Sequence, residues 1–445
     1  MDSRGLSKAA TAVKKEHPHP NRASHVGFVE RVTTIALLFS GEGRYIAEDT
    51  RPIRGTEEPK DTPMTHLTRR TFAAGLAAGV ATPALGGVAQ AQGATLKIGM
   101  VIPVTGNLSE SGKYALNGAK LALEEINKAG GILGKQVEIV TEDDQSTNPG
   151  AVLGFSKLTS NAEMYAFIGP IRSTQIHAIA PNVLTTAKPV LIGGTDPELT
   201  KLGNPWLFRF RPNDSYSARV ISEYGVTTLG KKKWAVIHAT DAFGNSGAKA
   251  LSESLTKLGI TPVLVQGYAS NTPDFTPVVL AIKQSGADVI GTYMTNEPDV
   301  AVFARQLKQL GINIPWVGSP SVVGATVTKL GGAALNGVYG IADFAEESAP
   351  EAKAYADAYR AAYKASPDFF SAWTYDALKV LASATNKAGA TDPQKVRTAI
   401  LGIKGLKGAE GEYNFDEKGD GLHGYNIVKN DGGKIVFDKH IEFKD

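Results

Sequence analysis

The sequence predicts an α/β fold of two lobes, each built on a parallel sheet with helices on both faces. From Leu96 onward, short β-rich runs alternate with amphipathic helical stretches, and this alternation is typical of parallel sheets. The alternation restarts near Trp234, which indicates a second sheet. The residues after position 91 number 354, a length that suits two domains of ordinary size.

The first block opens with a buried strand, Leu96–Pro103. In the next stretch, Lys113–Ala129, apolar residues recur at spacings of three and four, which predicts a helix that Gly130 and Gly131 end. The strands predicted after it are Val137–Glu142, Ala166–Gly169, Pro189–Ile192 and Leu207–Phe210. The helices predicted between these strands are Ala151–Ser160 and Thr174–Thr186.

The second block repeats this order of elements. Its predicted strands are Trp234–His238, Val263–Gln266, Val289–Tyr293, Trp316–Val317 and Val338–Ala342. Its predicted helices are Tyr216–Leu229, Gly247–Leu258, Pro277–Ser285 and Val300–Leu310. Three more helices follow at Glu351–Lys364, Ala372–Lys387 and Pro393–Leu401, and Gly411–Phe443 is typical of small antiparallel strands around turns.

An export signal precedes both blocks. Thr68–Ala91 holds a twin arginine (Arg69, Arg70), a weakly apolar Ala/Gly run and an Ala-Gln-Ala end, which predicts a twin-arginine signal peptide over 64–91. A transmembrane anchor is the alternative. The run is short and contains Pro83, whereas a spanning helix needs about 20 strongly apolar residues. Residues 1–63 are polar and aperiodic, which indicates a disordered leader or an overcalled start.

Charge and cysteine content exclude several functions. The whole chain carries 47 basic and 44 acidic side chains, of which 12 and 9 lie in the first 91 residues. The exported part therefore has a net charge of zero, which offers no case for nucleic acid binding. The chain has no cysteine, which excludes disulfides, thiolate metal sites, a Cys nucleophile and a lipid-anchoring Cys after the signal. We therefore expect a periplasmic protein that is not lipid-anchored.

Catalytic motifs are missing as well. No segment matches G-x-S-x-G, H-E-x-x-H, the phosphate loop or strict G-x-G-x-x-G. The nearest approach to a phosphate loop, Gly130–Lys135, follows a helix and precedes a strand, which is the reverse of the order that cradles phosphate. Four histidines follow the signal, and none pairs with another at metal-ligand spacing. We expect no enzyme activity, no cofactor and no metal.

Several segments carry a family resemblance. AGGILGK (129–135), with GAKLALEEIN (118–127) before it and EIVTEDDQSTNP (138–149) after it, resembles the opening of the leucine/isoleucine/valine-type periplasmic binding proteins, the solute receptors of ABC importers. The resemblance covers essentially all of 94–445. It continues through IGPIRSTQ (168–175), GGTDPELT (193–200), DAFGNSGAKAL (241–251), WTYDALKVL (373–381) and FDEKGD (415–420).

The resemblance implies a type I periplasmic binding protein fold. In that fold two doubly wound lobes are joined by three crossovers, and the ligand sits in the cleft between them. By this similarity the crossovers fall near 212–216, 343–346 and 421–425. Lobe I would comprise 94–212 and 346–421, and lobe II would comprise 213–345 and 422–445.

The same resemblance implies a carboxylate anchor at Ser173. This residue opens a predicted helix, and a helix N-terminus offers free N–H groups and the positive end of a dipole to an anion. The matching serine of the family binds the ligand carboxylate, which implies that role for Ser173 with help from the Thr174 N–H. Simple N-capping is the alternative for Ser173, and the two roles can coexist.

Other site residues are carried over in the same way. Thr195, in the turn after Pro189–Ile192, matches a threonine whose hydroxyl binds ligand together with a backbone group at Gly193; an ordinary turn is the alternative. Arg172 is able either to pair with a carboxylate bidentately or to point into water. Three further residues map onto the walls of the ligand pocket: Phe243, which matches an aromatic that covers the ligand, and, near the side-chain pocket, Ser111 and Phe370.

Two positions depart from the amino-acid binders of this family. Pro320 stands where those relatives have the acid that holds the ligand ammonium, and Asn296 replaces a tyrosine. A buried ammonium without a carboxylate is costly. Either an acid elsewhere substitutes, or the ligand has no ammonium, as in a small or aromatic carboxylate; amides and urea stay possible. The candidate acids are Glu297, Asp241 and Asp343.

We therefore expect a monomeric receptor that delivers a small carboxylate-bearing ligand to an ABC permease in the inner membrane. An enzyme on a similar scaffold would need a general base beside a nucleophile, and the chain shows no such pair. A gene regulator of the same fold would need a helix-turn-helix before residue 94 and would carry no export signal.

Overall fold

The computed structural model describes residues 95–201 and 203–443. The predicted signal peptide (64–91) and the predicted leader (1–63) lie outside the described residues. None of the helices formed by the described residues is both long and apolar enough to span a bilayer.

The first sheet has five parallel strands in the order β2-β1-β3-β4-β5. The strands are β1 (Leu96–Ile102), β2 (Val137–Asp143), β3 (Met164–Ile168), β4 (Val190–Ile192) and β5 (Leu207–Arg209). Almost every residue of β1 and β3–β5 is buried, as expected for a sheet that helices cover on both faces. The strand order reverses between β1 and β3, so loops from these two strands diverge at their carboxyl ends and leave a crevice.

The second sheet has seven strands. Five are parallel: β6 (Trp234–Ala239), β7 (Leu264–Tyr268), β8 (Val289–Tyr293), β9 (Trp316–Gly318) and β10 (Tyr339–Ala342). A small pair, β11 (Leu406–Lys407) and β12 (Glu412–Tyr413), stands apart. The chain then adds the hairpin β13 (Gly424–Asp431) and β14 (Lys434–Glu442) antiparallel to β10, which completes the order β14-β13-β10-β9-β8-β6-β7.

Eleven α-helices cover the two sheets in the part of the chain described. They are α1 (Ser109–Lys128), α2 (Asn148–Thr159), α3 (Ser173–Thr186), α4 (Asp214–Glu223), α5 (Ala242–Lys257), α6 (Thr276–Ser285), α7 (Glu297–Gln309), α8 (Ala325–Gly331), α9 (Pro350–Tyr363), α10 (Phe369–Ala388) and α11 (Pro393–Leu401). Side-chain caps begin several of them. The Asp241 carboxylate accepts from the Gly244 N–H at the start of α5, and Asp368 with Ser371 forms a capping box at α10.

The chain crosses between the sheets three times. It leaves the first sheet after β5, returns after β10 to α9–α11, and leaves again after β12. Helix α10 packs closely against α1, so the returning segment belongs to the core of the first lobe. A buried ion pair, Arg209 Nε to Asp420 Oδ1 at 2.8 Å, ties β5 to the third crossing. The residues at which one lobe ends and the other begins stay a prediction.

Most predicted elements agree with the structure, with a few differences. Helix α8 was not predicted, because seven residues with two Thr and flanking glycines carry no helical periodicity. The predicted helix Tyr216–Leu229 is α4 followed by a wider π-helical turn at Tyr224–Thr228. Helices α5 and α7 begin earlier than predicted, so Phe243 lies in the first turn of α5 and not in a loop.

Candidate functional site

A small cavity lies between the carboxyl edges of the two sheets, at the crevice left by the reversal of strand order. Its volume is about 60 Å³, several times what one water molecule needs. The loops after β1 and β3 and the first turn of α10 line one side, and the first turn of α5 and the loops after β8 and β9 line the other. The lining residues are Pro103, Leu108, Ser111, Ile171, Arg172, Ser173, Thr174, Gly194, Thr195, Arg211, Phe243, Thr295, Pro320, Ser321, Phe369 and Phe370.

The N-terminus of α3 faces this cavity. The N-cap is Arg172, whose side chain makes no capping bond, so the first N–H groups of the helix are left for another acceptor. Ser173 does not act as the cap. Its buried hydroxyl accepts from the Asp196 N–H at 3.2 Å, which leaves the hydroxyl hydrogen for a ligand. The end of the helix thus presents donors to the cavity.

Arg172 is held loosely at the edge of the cavity. One terminal nitrogen lies 3.3 Å from the Ser146 carbonyl and the other lies 3.5 Å from Asp241 Oδ2, both long for charge-assisted hydrogen bonds. Arg172 Nε is buried and meets no acceptor among the described residues. The side chain is only 16 % exposed. A buried guanidinium with an unused N–H and weak contacts suits a carboxylate ligand.

Arg211 is a second cavity cation that the sequence analysis missed. Its Nε donates to Asp343 Oδ2 at 2.6 Å, and a terminal nitrogen donates to the Gly193 carbonyl at 3.0 Å. Its guanidinium also lies 4.7 Å from the centre of the Phe369 ring. Arg211 follows the carboxyl end of β5, and that position in a parallel strand was a signal that could have identified it.

Thr195 contributes a hydroxyl that is already engaged. Its Oγ1 donates to Asp214 Oδ2 at 2.8 Å, and the Asp214 N–H returns a bond of 2.8 Å to the Thr195 carbonyl. Both side chains are buried. The neighbouring Gly194 is required by packing, because a Cβ there would meet Ile176 Cδ1 at 2.5 Å. This turn is therefore built closely onto α3 and α4.

Aromatic rings form much of the remaining wall. Phe369 and Phe370 pack with ring centres 4.2 Å apart at the start of α10. Phe243 approaches from the second lobe and packs edge-on against Tyr293 at 5.7 Å. Leu108, Ile171 and Pro320 complete the apolar surface. The cavity thus joins a cationic, donor-rich end to an apolar, aromatic side.

Carboxylates stand behind the cavity wall and not in it. Within 95–201 and 203–443, no Asp or Glu lines the cavity, although four acids contact side chains that do. Each of these acids contacts one lining residue: Asp214 contacts Thr195, Asp241 contacts Arg172, Asp343 contacts Arg211, and Glu297 contacts Ser111. The second carboxyl oxygens of Asp343 and Glu297 have no hydrogen-bond partner among the described residues. The charges that line the cavity are the two guanidinium groups.

The structure brings eight of the eleven predicted site residues to this cavity. These are Ser111, Arg172, Ser173, Thr174, Thr195, Phe243, Pro320 and Phe370. Gly193 lies just outside the wall and gives its carbonyl to Arg211. Glu297 reaches the wall only through Ser111. Asn296 is also behind it, where its amide donates to Asn271 at 3.2 Å and to Asp299 at 3.4 Å.

Further hydrogen bonds and ion pairs connect the side of the first sheet to that of the second around the cavity. Ser111 donates to Glu297 at 2.6 Å, and Asn107 donates to Asn271 at 2.7 Å. The Ala242 N–H donates to Thr174 Oγ1 at 3.4 Å, beside the long Arg172–Asp241 contact. The N-termini of α3 and α5 therefore meet across the cavity.

Other cavities of the described residues are larger but differ from this one in their lining. Three larger cavities, of about 670, 500 and 540 Å³, lie next to His440, Phe437 and Thr398, and none of the predicted site residues lines them. Across 95–201 and 203–443, no group of three or more His, Cys, Asp or Glu side chains is placed to hold a metal ion.

Comparisons with known proteins agree on the family. The sequence profile described as periplasmic binding protein matches residues 95–434. A leucine-, isoleucine-, valine-, threonine- and alanine-binding protein of Pseudomonas aeruginosa is 29% identical over 330 residues, which are 73% of this chain and 87% of that protein. The Leu/Ile/Val-binding protein BraC3 of Rhizobium johnstonii is 30% identical over 352 residues, which are 77% and 94% of the two chains.

A solved structure is similar at the level of the whole fold. The branched-chain amino acid transporter substrate-binding protein LivJ of Streptococcus pneumoniae, in complex with isoleucine, superimposes with a TM-score of 0.72 at 27% identity. The match covers 79% of this chain and all of LivJ. The chain therefore belongs to the periplasmic binding protein family and has the two-lobed α/β fold of its type I members.

Proposed function

We propose that this protein is the extracytoplasmic solute-binding receptor of an ABC importer and holds a small carboxylate between its two lobes. The observation that carries the proposal is the charge of the cavity. Arg172, Arg211 and the N-terminus of α3 all face it, and no acid lines it. Two guanidinium groups and a helix N-terminus form a site for an anion.

The same charge balance favours a ligand without an ammonium group. An ammonium placed here would lie beside two guanidinium groups, and the nearest acids are already bonded to lining residues. Burying such a cation without a free carboxylate costs several kcal/mol. A carboxylate with an apolar or aromatic body fits better, because Phe243, Phe369 and Phe370 supply an apolar wall.

A branched-chain amino acid is the second candidate ligand. Similar proteins are named for binding leucine, isoleucine and valine, and LivJ was solved with isoleucine. The Thr195 oxygen and the Gly193 carbonyl are acceptors close to the cavity and would have to receive the ammonium. The Gly193 carbonyl, however, already accepts from Arg211, which weakens this alternative.

The mechanism follows from the contacts between the lobes. A ligand docks first on α3 and the 193–195 turn, where the donors of the first lobe are preformed. The second lobe then closes by a hinge motion, bringing Phe243 over the ligand and forming the Ser111–Glu297 and Asn107–Asn271 bonds. The permease in the inner membrane would recognise the closed form.

The proposal includes export by the twin-arginine pathway to the periplasm, without a lipid anchor and as a monomer. It also assigns no turnover, because the similar proteins are named for binding and not for catalysis. Incubating the protein with a bound ligand and analysing the ligand by mass spectrometry tests this part; a converted ligand would contradict it.

The ligand itself is tested by a thermal-shift screen of the purified protein, followed by calorimetry. The panel contains benzoate and 3-methylbutanoate as carboxylates, L-leucine and L-isoleucine as amino acids, and benzamide and urea as neutral compounds. We expect the carboxylates to raise the unfolding midpoint most. A response to leucine that exceeds the response to every carboxylate would establish the second candidate instead.

A further inference from the structure

The hydroxyl of Thr195 and the carboxyl of Asp214 form a unit at the edge of the cavity. Thr195 lines the cavity, and its hydroxyl donates to Asp214 Oδ2 at 2.8 Å. Asp214 is fully buried at the start of α4 and does not itself line the cavity. Its N–H donates to the Thr195 carbonyl at 2.8 Å, so two bonds fix the pair in one geometry.

Two cations near Asp214 oppose the effect of burial on its pKa, but both are bonded to other acids. Ser217 donates to Oδ1 at 3.0 Å. The nearby cations Arg209 and Arg211 are each paired with another acid, Asp420 at 2.8 Å and Asp343 at 2.6 Å. Tyr293 and Tyr425 also face it, and burial raises the pKa of both phenols well above 10, so they stay neutral.

Burial raises the pKa of Asp214 to about 7, against the opposing effect of the hydrogen bonds from Thr195 and Ser217. Both protonation states are therefore populated near neutral pH. A hydroxyl has only one hydrogen to donate. When Asp214 is ionised, Thr195 gives that hydrogen to Asp214 and turns only lone pairs toward the cavity. When Asp214 is protonated, it can donate to Thr195 and free the Thr195 hydrogen.

We propose that Asp214 is a positioning residue that sets whether Thr195 acts as a hydrogen-bond acceptor or donor toward the ligand, and thereby sets ligand specificity. This inference rests on the proposed function. A carboxylate head group offers only acceptors, so it is favoured by protonated Asp214. A head group with N–H donors, such as an amide, is favoured by ionised Asp214.

The test compares benzoate with benzamide, which have the same shape and do not titrate between pH 5.5 and 8.5. Calorimetry measures both affinities at the two pH values. Any pH effect on lobe closure acts on both probes and cancels in their ratio. In the wild type, we expect the ratio of benzoate affinity to benzamide affinity to fall about tenfold from pH 5.5 to pH 8.5.

Variants separate the proposal from simple charge repulsion. In Asp214→Asn the ratio of benzoate affinity to benzamide affinity changes by less than twofold between pH 5.5 and pH 8.5, because the group bonded to Thr195 no longer titrates. Thr195→Val also removes the pH dependence of this affinity ratio, whereas Thr195→Ser, which keeps a hydroxyl, retains it. If Asp214 acted on the ligand by charge alone, Thr195→Val would keep the tenfold change, and that result would overturn the proposal.

A further variant is the control. Asp144→Asn removes a different buried carboxyl, whose pKa burial raises to about 6 and whose charge acts on the lining residue Arg172, and it should keep the tenfold change. A flat ratio in Asp144→Asn, or a tenfold change in a folded Asp214→Asn, contradicts the role of Asp214. Failure of the wild type to bind either probe at any pH would overturn the proposed carboxylate function itself, and this inference with it.

Discussion

Ser111 and Glu297 meet between the two lobes: the Ser111 hydroxyl donates a hydrogen bond of 2.6 Å to Glu297 Oε2, and both side chains are buried. Glu297 Oε1 accepts no hydrogen bond from the described residues. Burial raises the pKa of Glu297 to about 8, with the Ser111 bond opposing the shift and the nearby Asp368 adding to it. Burial therefore favours the protonated form of this carboxyl at neutral pH.

The raised pKa of Glu297 predicts a pH-dependent stability. An acid whose pKa is raised by folding stabilises the folded state. This stabilisation is fully present below the ordinary pKa of 4.5, and it is lost as the pH rises toward 8. We expect the unfolding temperature to fall from pH 6 to pH 9 in the wild type. The fall should be at least about 2 °C larger than in Glu297→Gln, because a shift of one pKa unit corresponds to about 1.4 kcal/mol of stability.

The measurement is differential scanning fluorimetry across that pH range. Ser111→Ala serves as the matched control, because it removes the hydrogen bond and leaves the titrating group. It should keep the fall in midpoint. Equal pH profiles for the wild type and Glu297→Gln would show that Glu297 does not carry the effect.

The carboxylate anchor is tested by removing both hydroxyls at the cavity. Ser173→Ala combined with Thr195→Val should abolish the thermal shift that benzoate produces, because each hydroxyl faces the cavity. Thr385→Val is the control, since Thr385 is equally buried but lies in α10 away from the cavity. If the double variant folds and benzoate still raises its unfolding temperature, the carboxylate binds to residues other than Ser173 and Thr195.

The two cavity arginines should behave differently on substitution. Arg172 has only long contacts, so Arg172→Gln should change the free energy of unfolding by less than about 1 kcal/mol while weakening benzoate binding at least tenfold. Arg211→Gln leaves Asp343 buried without its cation and should cost about 3–5 kcal/mol of stability. Chemical denaturation and calorimetry measure the two effects. Equal stability losses for the two variants would contradict this division of roles.

Close packing of α1 against α10 should make Gly118 intolerant of a side chain. A Cβ at this position would lie 1.9 Å from the Ser371 carbonyl oxygen, so the backbone has to move. Gly118→Ala should lower the free energy of unfolding by about 1–3 kcal/mol, measured in urea. Gly402→Ala is the control, because its nearest neighbour would be 3.3 Å away. A stable Gly118→Ala would show that α10 can shift without cost.

Much of the architecture could be read from local pattern. The strand Val289–Tyr293 and the helix Pro393–Leu401 agree with the structure at both ends, because apolar periodicity and flanking turn residues are properties of a short segment. Helix starts were less predictable. The Asp241 cap of α5 and the capping box at Asp368 depend on side-chain geometry that periodicity does not contain.

The sequence by itself determined that the chain alternates strands and helices in two blocks and that Ser173 and Thr195 follow two successive predicted strands. It also carried the family resemblance and the absence of cysteine. These are statements about types and order of residues along the chain, and local preferences are sufficient for them.

Only the tertiary structure decided which charges the cavity presents. Arg211 and Asp343 are far apart in sequence and pair at 2.6 Å, and Glu297 is drawn to Ser111 from the other lobe. Whether an acid lines a cavity or stands one layer behind it depends on how two separate sheets meet. That is a long-range property of the packed chain, and the spacing of residues along the sequence does not encode it directly.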